Sequence, residues 1–436
     1  MSKTTPADFN LMEDGTRECP FPYLQSIREQ QPVYFMQELG AYYVSRYEDV
    51  RYIKKHPEIF SNNIFELGGS RGNERNIAEE YRAKHGWARV STLQRTDPPV
   101  HTSYRRLINH AFTVARVRKM TPYIETVVND LLDTLIETAV DGRGQCDFVW
   151  DFAVPLPCIV IADQLGVPRE RIWDLKRWSD AMLAPGGGFV DEAAALECGR
   201  QVVAAQQFFA EVIEARRQTP ADDIITDLVH TEIKDPHTGD QRLLTMPELQ
   251  DLLDQLLTGG NETTTNAIGS GLMLLLQRPG TIARMRKDPA LIRNFVEESL
   301  RYETPVLHLW RVTTQDVRLG DVDIPQGSSV AVGYASANRD AEVFPDSEDF
   351  VIERQKAGAH LAFGSGPHHC PGAALARQEM YSTFTILLHR LRDIELVDAQ
   401  DKFAHVPSSF LRGLAHLHIK FQVGPEGRYT PAASAY

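Results

Sequence analysis

The chain has few cysteines: five in 436 residues, namely Cys19, Cys146, Cys158, Cys198 and Cys370. They are scattered, odd in number and never spaced as CxxC. That argues against a disulfide framework, zinc ribbons and thioredoxin-like chemistry. No uninterrupted apolar run reaches the roughly 18 residues of a membrane span. Met1 to Asn10 is polar and lacks the apolar stretch of a signal peptide. A cytoplasmic protein without a membrane anchor is therefore expected. Positive charge is also short: 46 Lys and Arg stand against 59 Asp and Glu, a net charge of −13. General binding to nucleic acid or to an anionic membrane is disfavoured on that balance. Internal repeats and low-complexity linkers are missing too.

Apolar residues make up 42 % of the chain, enough for a sizeable core. Strand signals cluster at 33–36 and 42–44 around the turn Leu39-Gly40, and at 317–319 and 329–332 around Ile324 to Gly327. Helical periodicity dominates elsewhere. The expectation is a mainly α fold with small β-sheets, one unit over 19–424, flanked by flexible ends at 1–18 and 425–436. The longest helix signal opens at Thr245 with the capping-box spacing Thr245/Glu248 and Pro247 in its first turn. Leucines then recur on one face to Leu276, before Pro279-Gly280. At ~1.5 Å per residue it would run on the order of 50 Å. Its centre, Gly259-Gly260-Asn261-Glu262-Thr263-Thr264-Thr265, is poor in helix propensity, which demands a reason outside the helix.

The sharpest local signal is the run from Phe363 to Arg377, FGSGPHHCPGAALAR. Gly364 and Gly366 permit a tight turn, and Gly372 leads into a helix starting at Ala373. Cys370 thus sits just before a helix N-terminus, a position that lowers a thiol's pKa and favours thiolate. A lone cysteine is usually a small buried hydrophobe. A thiolate on a glycine-rich turn instead suits an axial haem ligand.

The spacing F-G-x-G-x-H-x-C-x-G-x-x-L-A-R resembles the haem-binding signature of the cytochrome P-450 family, with every fixed position matched. Other family features follow in order, so the resemblance spans nearly the whole chain. It implies a single-domain cytochrome P-450 fold, with haem b between the long central helix and the cysteine loop. It also implies Cys370 as the proximal iron ligand, with Phe363, Gly260 and Gly372 against the haem. His101 and Arg105 lie four apart on one helix face and suit carboxylates. By resemblance they bind the haem propionates together with Arg311 and His368. Glu298 and Arg301 match the family's E-x-x-R pair, implying a buried structural ion pair tied to Arg354.

Glu262-Thr263 resembles the family's acid–alcohol pair, where many relatives carry Asp in place of Glu262. Activating dioxygen consumes protons; a hydroxyl can hold a donor near the oxygen and a carboxylate can relay protons from solvent. Substrate-pocket residues implied by the resemblance are Val306, Leu307, His308, Leu309 and Phe410. The segments Leu67 to Lys84 and Met182 to Val190 join them, the latter with Gly186-Gly187-Gly188 as a mobile lid. Pro371 supplies no N–H to the neighbouring sulfur, which would strengthen electron donation to iron, or else merely fixes the loop's φ.

The implied activity is a monooxygenase that inserts one oxygen atom of O2 into a C–H or C=C bond of a medium-sized hydrophobic molecule, such as a terpenoid, steroid or aromatic. No flavin domain or ferredoxin motif is evident, so electrons would come from a separate ferredoxin or flavodoxin. Arg106, Arg116, Arg118 and Lys119 are candidates to steer it. A monomer is expected. Two other readings remain open: a peroxide-driven peroxygenase, for which a proton relay would be superfluous, and a haem-binding sensor without catalysis.

Overall fold

Thr245 caps the longest helix, Met246–Leu276, with the reciprocal capping box: its backbone N–H donates to Glu248 Oε2 at 2.7 Å. In the computed structural model, which describes residues 4–64, 66–67, 76–235, 238–399 and 402–430, this helix is buried on nearly every side and crosses the molecule. A helix that buries both its apolar residues and polar ones such as Asp251 and Asn261 has to be surrounded by partners. Helices Pro155–Gln164, Ile172–Gly187, Leu291–Tyr302 and Ala373–Arg390 surround it. Gly271 lets the last of these approach: a Cβ there would lie 2.6 Å from Phe384 Cζ. The ring of Phe384 in turn meets Phe295 edge-on at 4.8 Å.

The strands are β1 (Val33–Met36), β2 (Ala41–Val44), β3 (Phe60–Ser61), β4 (Arg143–Asp147), β5 (Ile233–Lys234), β6 (Gln241–Arg242), β7 (His308–Thr313), β8 (Val317–Leu319), β9 (Val322–Ile324), β10 (Ser329–Gly333), β11 (Leu391–Leu396) and β12 (His418–Val423). A five-stranded sheet runs β1-β2-β10-β7-β3, in which only β2 and β10 pair in parallel. Every residue of β10 is buried, as a strand covered on both faces requires. A second sheet, β11-β12-β4, joins the end of the cysteine-loop helix to the C-terminal strand. The mainly α architecture with small sheets is the expected one.

The ends differ from expectation. Described residues of the N-terminal stretch are packed, with Phe9 and Leu11 buried against Leu24, Tyr43, Leu307 and Ala335. The T-shaped contact of Phe9 with Tyr43, centroids 5.0 Å apart, anchors them. Polar composition hid two apolar anchors that are too widely spaced to form a pattern. At the other end, Arg428 pairs with Asp133 at 2.6 Å, and Tyr429 N–H donates to Asn129 Oδ1 at 3.1 Å. Both dock on helix Val114–Glu137. Residues 431–436 lie outside the described residues.

Replacing Phe9 by Ala should lower unfolding stability by about 3 kcal/mol, the usual cost of emptying a core aromatic site. An unchanged urea midpoint would show that the N-terminus contributes nothing to the core.

Candidate functional site

The cysteine loop is a built turn. Gly364 and Gly366 both take positive φ, +66° and +67°. At Gly366 a Cβ would also lie 2.2 Å from the carbonyl oxygen of Lys54, so only glycine fits. Cys370 N–H donates to Phe363 O at 2.9 Å and closes the loop. Helix Ala373–Arg390 then begins, and the N–H groups of Gly372 and Ala373 point at the Cys370 sulfur.

Contrary to the sequence expectation, the Cys370 thiol is pushed up rather than down. Burial is the largest cause and outweighs the lowering by those N–H groups and by the charges of Arg105 and Arg377. A helix N-terminus therefore does not by itself make a thiolate here. Coordination of a metal ion would do so, because the ion's charge favours the deprotonated ligand.

Five basic groups gather beside the loop. Lys54, His101 and Arg311 are buried, and Arg105 and His368 are half-buried. The rings of His101 and His368 lie 4.1 Å apart. The Nε2 atoms of both are buried without a hydrogen-bond partner. Burial, then the Arg105 charge, pulls His101 down to about 4. His368 is lowered by burial and by the charges of His101 and Lys54. Lys54 is lowered by burial and by Arg311. Asp97, 4.0 Å from His368, offsets part of this charge, but its carboxylate already accepts from Asn62 N at 3.0 Å and Asn62 Nδ2 at 3.1 Å. Orphaned imidazoles and buried cations in this number match an anionic ligand with two carboxylates.

Lys54 escaped the sequence reading, although a signal existed. It falls at i+7 from Tyr47 and i+4 from Val50, on the buried face of helix Tyr47–Lys55. Lysine on an apolar stripe is the anomaly to look for.

Two ion-pair clusters hold the loop. Glu298 accepts from Arg301 Nε at 2.8 Å, from Arg354 Nε at 3.0 Å and from Val351 N at 2.9 Å. The remaining Arg301 nitrogens donate to the carbonyls of Asn338, Ser347 and Asp349. This buried network ties helix Leu291–Tyr302 to the chain before the cysteine loop. Its neighbour Glu297, not singled out from sequence, accepts from Arg377 at 2.6 and 2.9 Å. Burial pushes Glu297 up, but hydrogen bonds from His360 and Arg377 hold it at about 2. The Arg377 guanidinium also covers the Phe363 ring at 4.5 Å.

On the opposite side the central helix opens at one place. Gly259 is exposed, and nothing lies within 4 Å of a Cβ built on it. Thr263, one turn on, is half-buried and donates its hydroxyl to Gly259 O at 3.1 Å. Gly260 differs from expectation: it packs against Ile161, where a Cβ would come within 3.0 Å, so Gly259 and not Gly260 borders the opening. Glu262 points away to helix Ile172–Gly187, where its Oε2 accepts from Lys176 Nζ at 3.0 Å. Lys176 also donates to Asp180, whose carboxyl is pushed up to about 6, chiefly by burial.

The expected pocket strand divides. Alternation on β7 puts Leu309 and Arg311 on one face and His308 and Trp310 on the other. Leu309 is 37 % exposed although β7 is an interior strand. Leu307 and His308 do not line the opening: Leu307 joins the cluster around Phe9, and the His308 ring packs against Tyr43 and Trp310 at 5.7 and 5.3 Å. Val306 bridges to Leu411, and a Cβ on Gly186 would lie 3.6 Å from the Phe410 ring. Gly186 and Gly187 end helix Ile172–Gly187, with Gly188 in the left-handed cap position, so these glycines terminate a helix. A cavity of about 850 Å³ lies there, walled by Ile64, Ala78, Val90, Met182, Pro185 and Trp310. Of the segment Leu67 to Lys84, residues 68–75 lie outside the described residues.

A family model described as Cytochrome P450 matches residues 193–413. The chain is 37 % identical over 385 residues to cytochrome P450 107B1 of Saccharopolyspora erythraea, covering 88 % of this chain and 89 % of that protein. The chain belongs to the cytochrome P450 family. It is 36 % identical to 6-deoxyerythronolide B hydroxylase of the same organism, over 76 % of this chain and 78 % of the relative. The solved structure of CYP109E1 from Bacillus megaterium in complex with testosterone superposes with a TM-score of 0.79 at 30 % identity, over 93 % and 99 % of the two chains. The protein is accordingly a cytochrome P450 monooxygenase, and the cofactor of this family is haem, iron protoporphyrin IX. The residues fit it: one sulfur at a loop, two orphaned imidazoles and three further cations for its propionates. No helix among the described residues is long and apolar enough to cross a membrane.

Held neutral at a pKa of about 4, His101 binds its proton less readily in the fold than in the unfolded chain, where 6.5 applies. The haem-free protein should therefore lose stability as pH falls from about 6.5 towards 4. Propionates favour imidazolium, so the haem-loaded protein should lose less over the same window. Urea midpoints at about pH 7 and pH 5 test this. Equal losses in the two forms, or a haem-free loss unaltered by His101→Gln, would refute it.

Proposed function

We propose that Cys370 ligates the haem iron and that the chain oxygenates a medium-sized hydrophobic molecule at a C–H or C=C bond. The observation that carries the reading is Thr263, set on the one open stretch of the buried central helix. The haem, when bound, supplies the centre at which dioxygen is activated with thiolate push. Everything else is done by the chain.

Lys54, His101, Arg105, Arg311 and His368 bind and orient the propionates. Thr263 keeps its Oγ1 hydrogen bonded to Gly259 O, facing the opening, and can turn it towards oxygen as a proton donor. Protons arrive through Asp180, Lys176 and Glu262. Asp180 is suited to the entry because a carboxyl at about 6 exchanges its proton near neutrality. A relay of this kind supports oxygen-driven catalysis over the peroxygenase and sensor readings.

The cavity mixes Ile64, Met182, Pro185 and Trp310 with Glu79, Arg89 and Asp191, which suits an apolar body with a polar end. A terpenoid, steroid or macrolide-sized aromatic or aliphatic compound fits that description. The similarity to 6-deoxyerythronolide B hydroxylase and to a testosterone-bound P450 supports the same size range. Electrons come from a separate ferredoxin or flavodoxin. Arg106, Arg118 and Lys119 are exposed and available to steer it, whereas Arg116 is engaged by Asp227 at 3.1 Å.

Thr263→Ala should divert electrons to peroxide, lowering product per NAD(P)H by about tenfold or more while peroxide-driven turnover persists. Unchanged coupling would remove Thr263 from the relay. Two N–H groups, not three, face the sulfur, because residue 371 is proline. Pro371→Leu adds a donor and should raise the iron reduction potential; a potential at or below wild type would leave Pro371 a purely conformational role.

A further inference from the structure

Asp147 ends β4 and faces His418, the first residue of β12, in the antiparallel register. His416 lies two residues earlier and projects from the same side, while Leu417 between them is fully buried. The two imidazoles stack at 5.6 Å with planes 9° apart. His416 Nδ1 is 2.5 Å from Asp147 Oδ2, and one ligand atom from each of the three residues lies within 4.8 Å of the others.

Asp147 is already oriented. Its Oδ1 accepts from Val149 N at 3.2 Å and from Leu417 N at 3.0 Å, leaving Oδ2 for the histidines. Trp150 Nε1 donates to Ala415 O at 3.0 Å and pins the strand just before His416. The His416 side chain is 59 % exposed and that of Asp147 15 %, so one ligand is anchored and two are free to turn.

We propose that Asp147, His416 and His418 form a binding site for a late first-row divalent ion, Zn²⁺ first, separate from the haem site. Two imidazoles and one carboxylate are the ligands such ions select, at about 2.0–2.2 Å, with a fourth position left to water. Small rotations of the exposed imidazoles bring the three atoms to those distances. Hydrogen bonds that fix the carboxylate are the support that metal ligands require. An ion there clips β12 to β4 at the end of the chain segment that carries Phe410.

The haem-loaded full chain, free of any affinity tag and stripped with chelator, is titrated with Zn²⁺ by calorimetry. One ion per chain with micromolar Kd is expected. His416→Gln and His418→Gln should each weaken binding at least roughly tenfold with an unchanged haem spectrum, whereas Cys19→Ser and Cys198→Ser should not. Cu²⁺ bound at the same site should show electron-spin coupling to two imidazole nitrogens in the wild type and to one in each histidine variant. No binding below millimolar Zn²⁺, or binding kept by the histidine variants and lost with the cysteines, would overturn the proposal.

Discussion

Buried positive charge around a single sulfur is the constraint on which this structure turns. Lys54, His101, Arg105, Arg311 and His368 converge from four separate chain segments, and Asp97 offers them one partly engaged carboxylate. Burying even one unpaired ammonium is costly, and a protein ordinarily answers by neutralising the group or supplying a partner. Here the downward shifts of Lys54, His101 and His368 show the first response. In the proposed ligation a planar cofactor with two carboxylates would supply the second, and its metal would relieve the opposite tension at Cys370, whose thiol burial favours in protonated form. Charge and sulfur would thus be settled together by one ligand, which would make the site and the cofactor halves of a single folding problem.

The ion pairs behind the loop serve position rather than net stability. Desolvating Glu298, Arg301 and Arg354 consumes much of what their attraction returns. What the network secures is direction: each guanidinium is spent on named carbonyls between Asn338 and Asp349, so that stretch has one conformation. Glu297 and Arg377 repeat the device one residue away, and Arg377 covers the Phe363 ring whose carbonyl closes the turn. The cysteine is therefore rigidly framed from behind, while the opposite side is the open stretch of the central helix at Gly259 and Thr263.

Local features were legible in the sequence and long-range ones were not. The capping box, the strand runs and the loop glycines depend on near neighbours, and they stand where the spacing puts them. Arg311 carried no local sign of burial; its neighbours became known only once β7 lay between β10 and β3. The partnership of Glu262 with Lys176 joins two helices distant in the chain, and nothing near either residue announces it. The consecutive run Val306 to Leu309 shows a different failure. Alternation along a strand would put Leu307 and Leu309 on one face, yet Leu307 joins the Phe9 cluster while Leu309 is exposed, because Leu307 precedes β7 and does not follow its alternation.

Adjacent positions on a helix are about 100° apart, and that angle separates Thr263 from Glu262. The hydroxyl faces the opening while the carboxylate faces helix Ile172–Gly187, so in the proposed relay the pair would act as two ends of a path rather than as one group. The same helix carries Lys176 on one stretch and Ala181, Met182 and Pro185 along the cavity wall on the next. Its C-terminal end is tied to the Phe410 loop through Ser409 N–H donating to Gly187 O at 3.2 Å. A helix moves as a unit. In the proposed mechanism, a substrate that displaces Met182 therefore also acts on the ion pair that holds Glu262, and proton supply becomes conditional on an occupied cavity without any contact between substrate and acid.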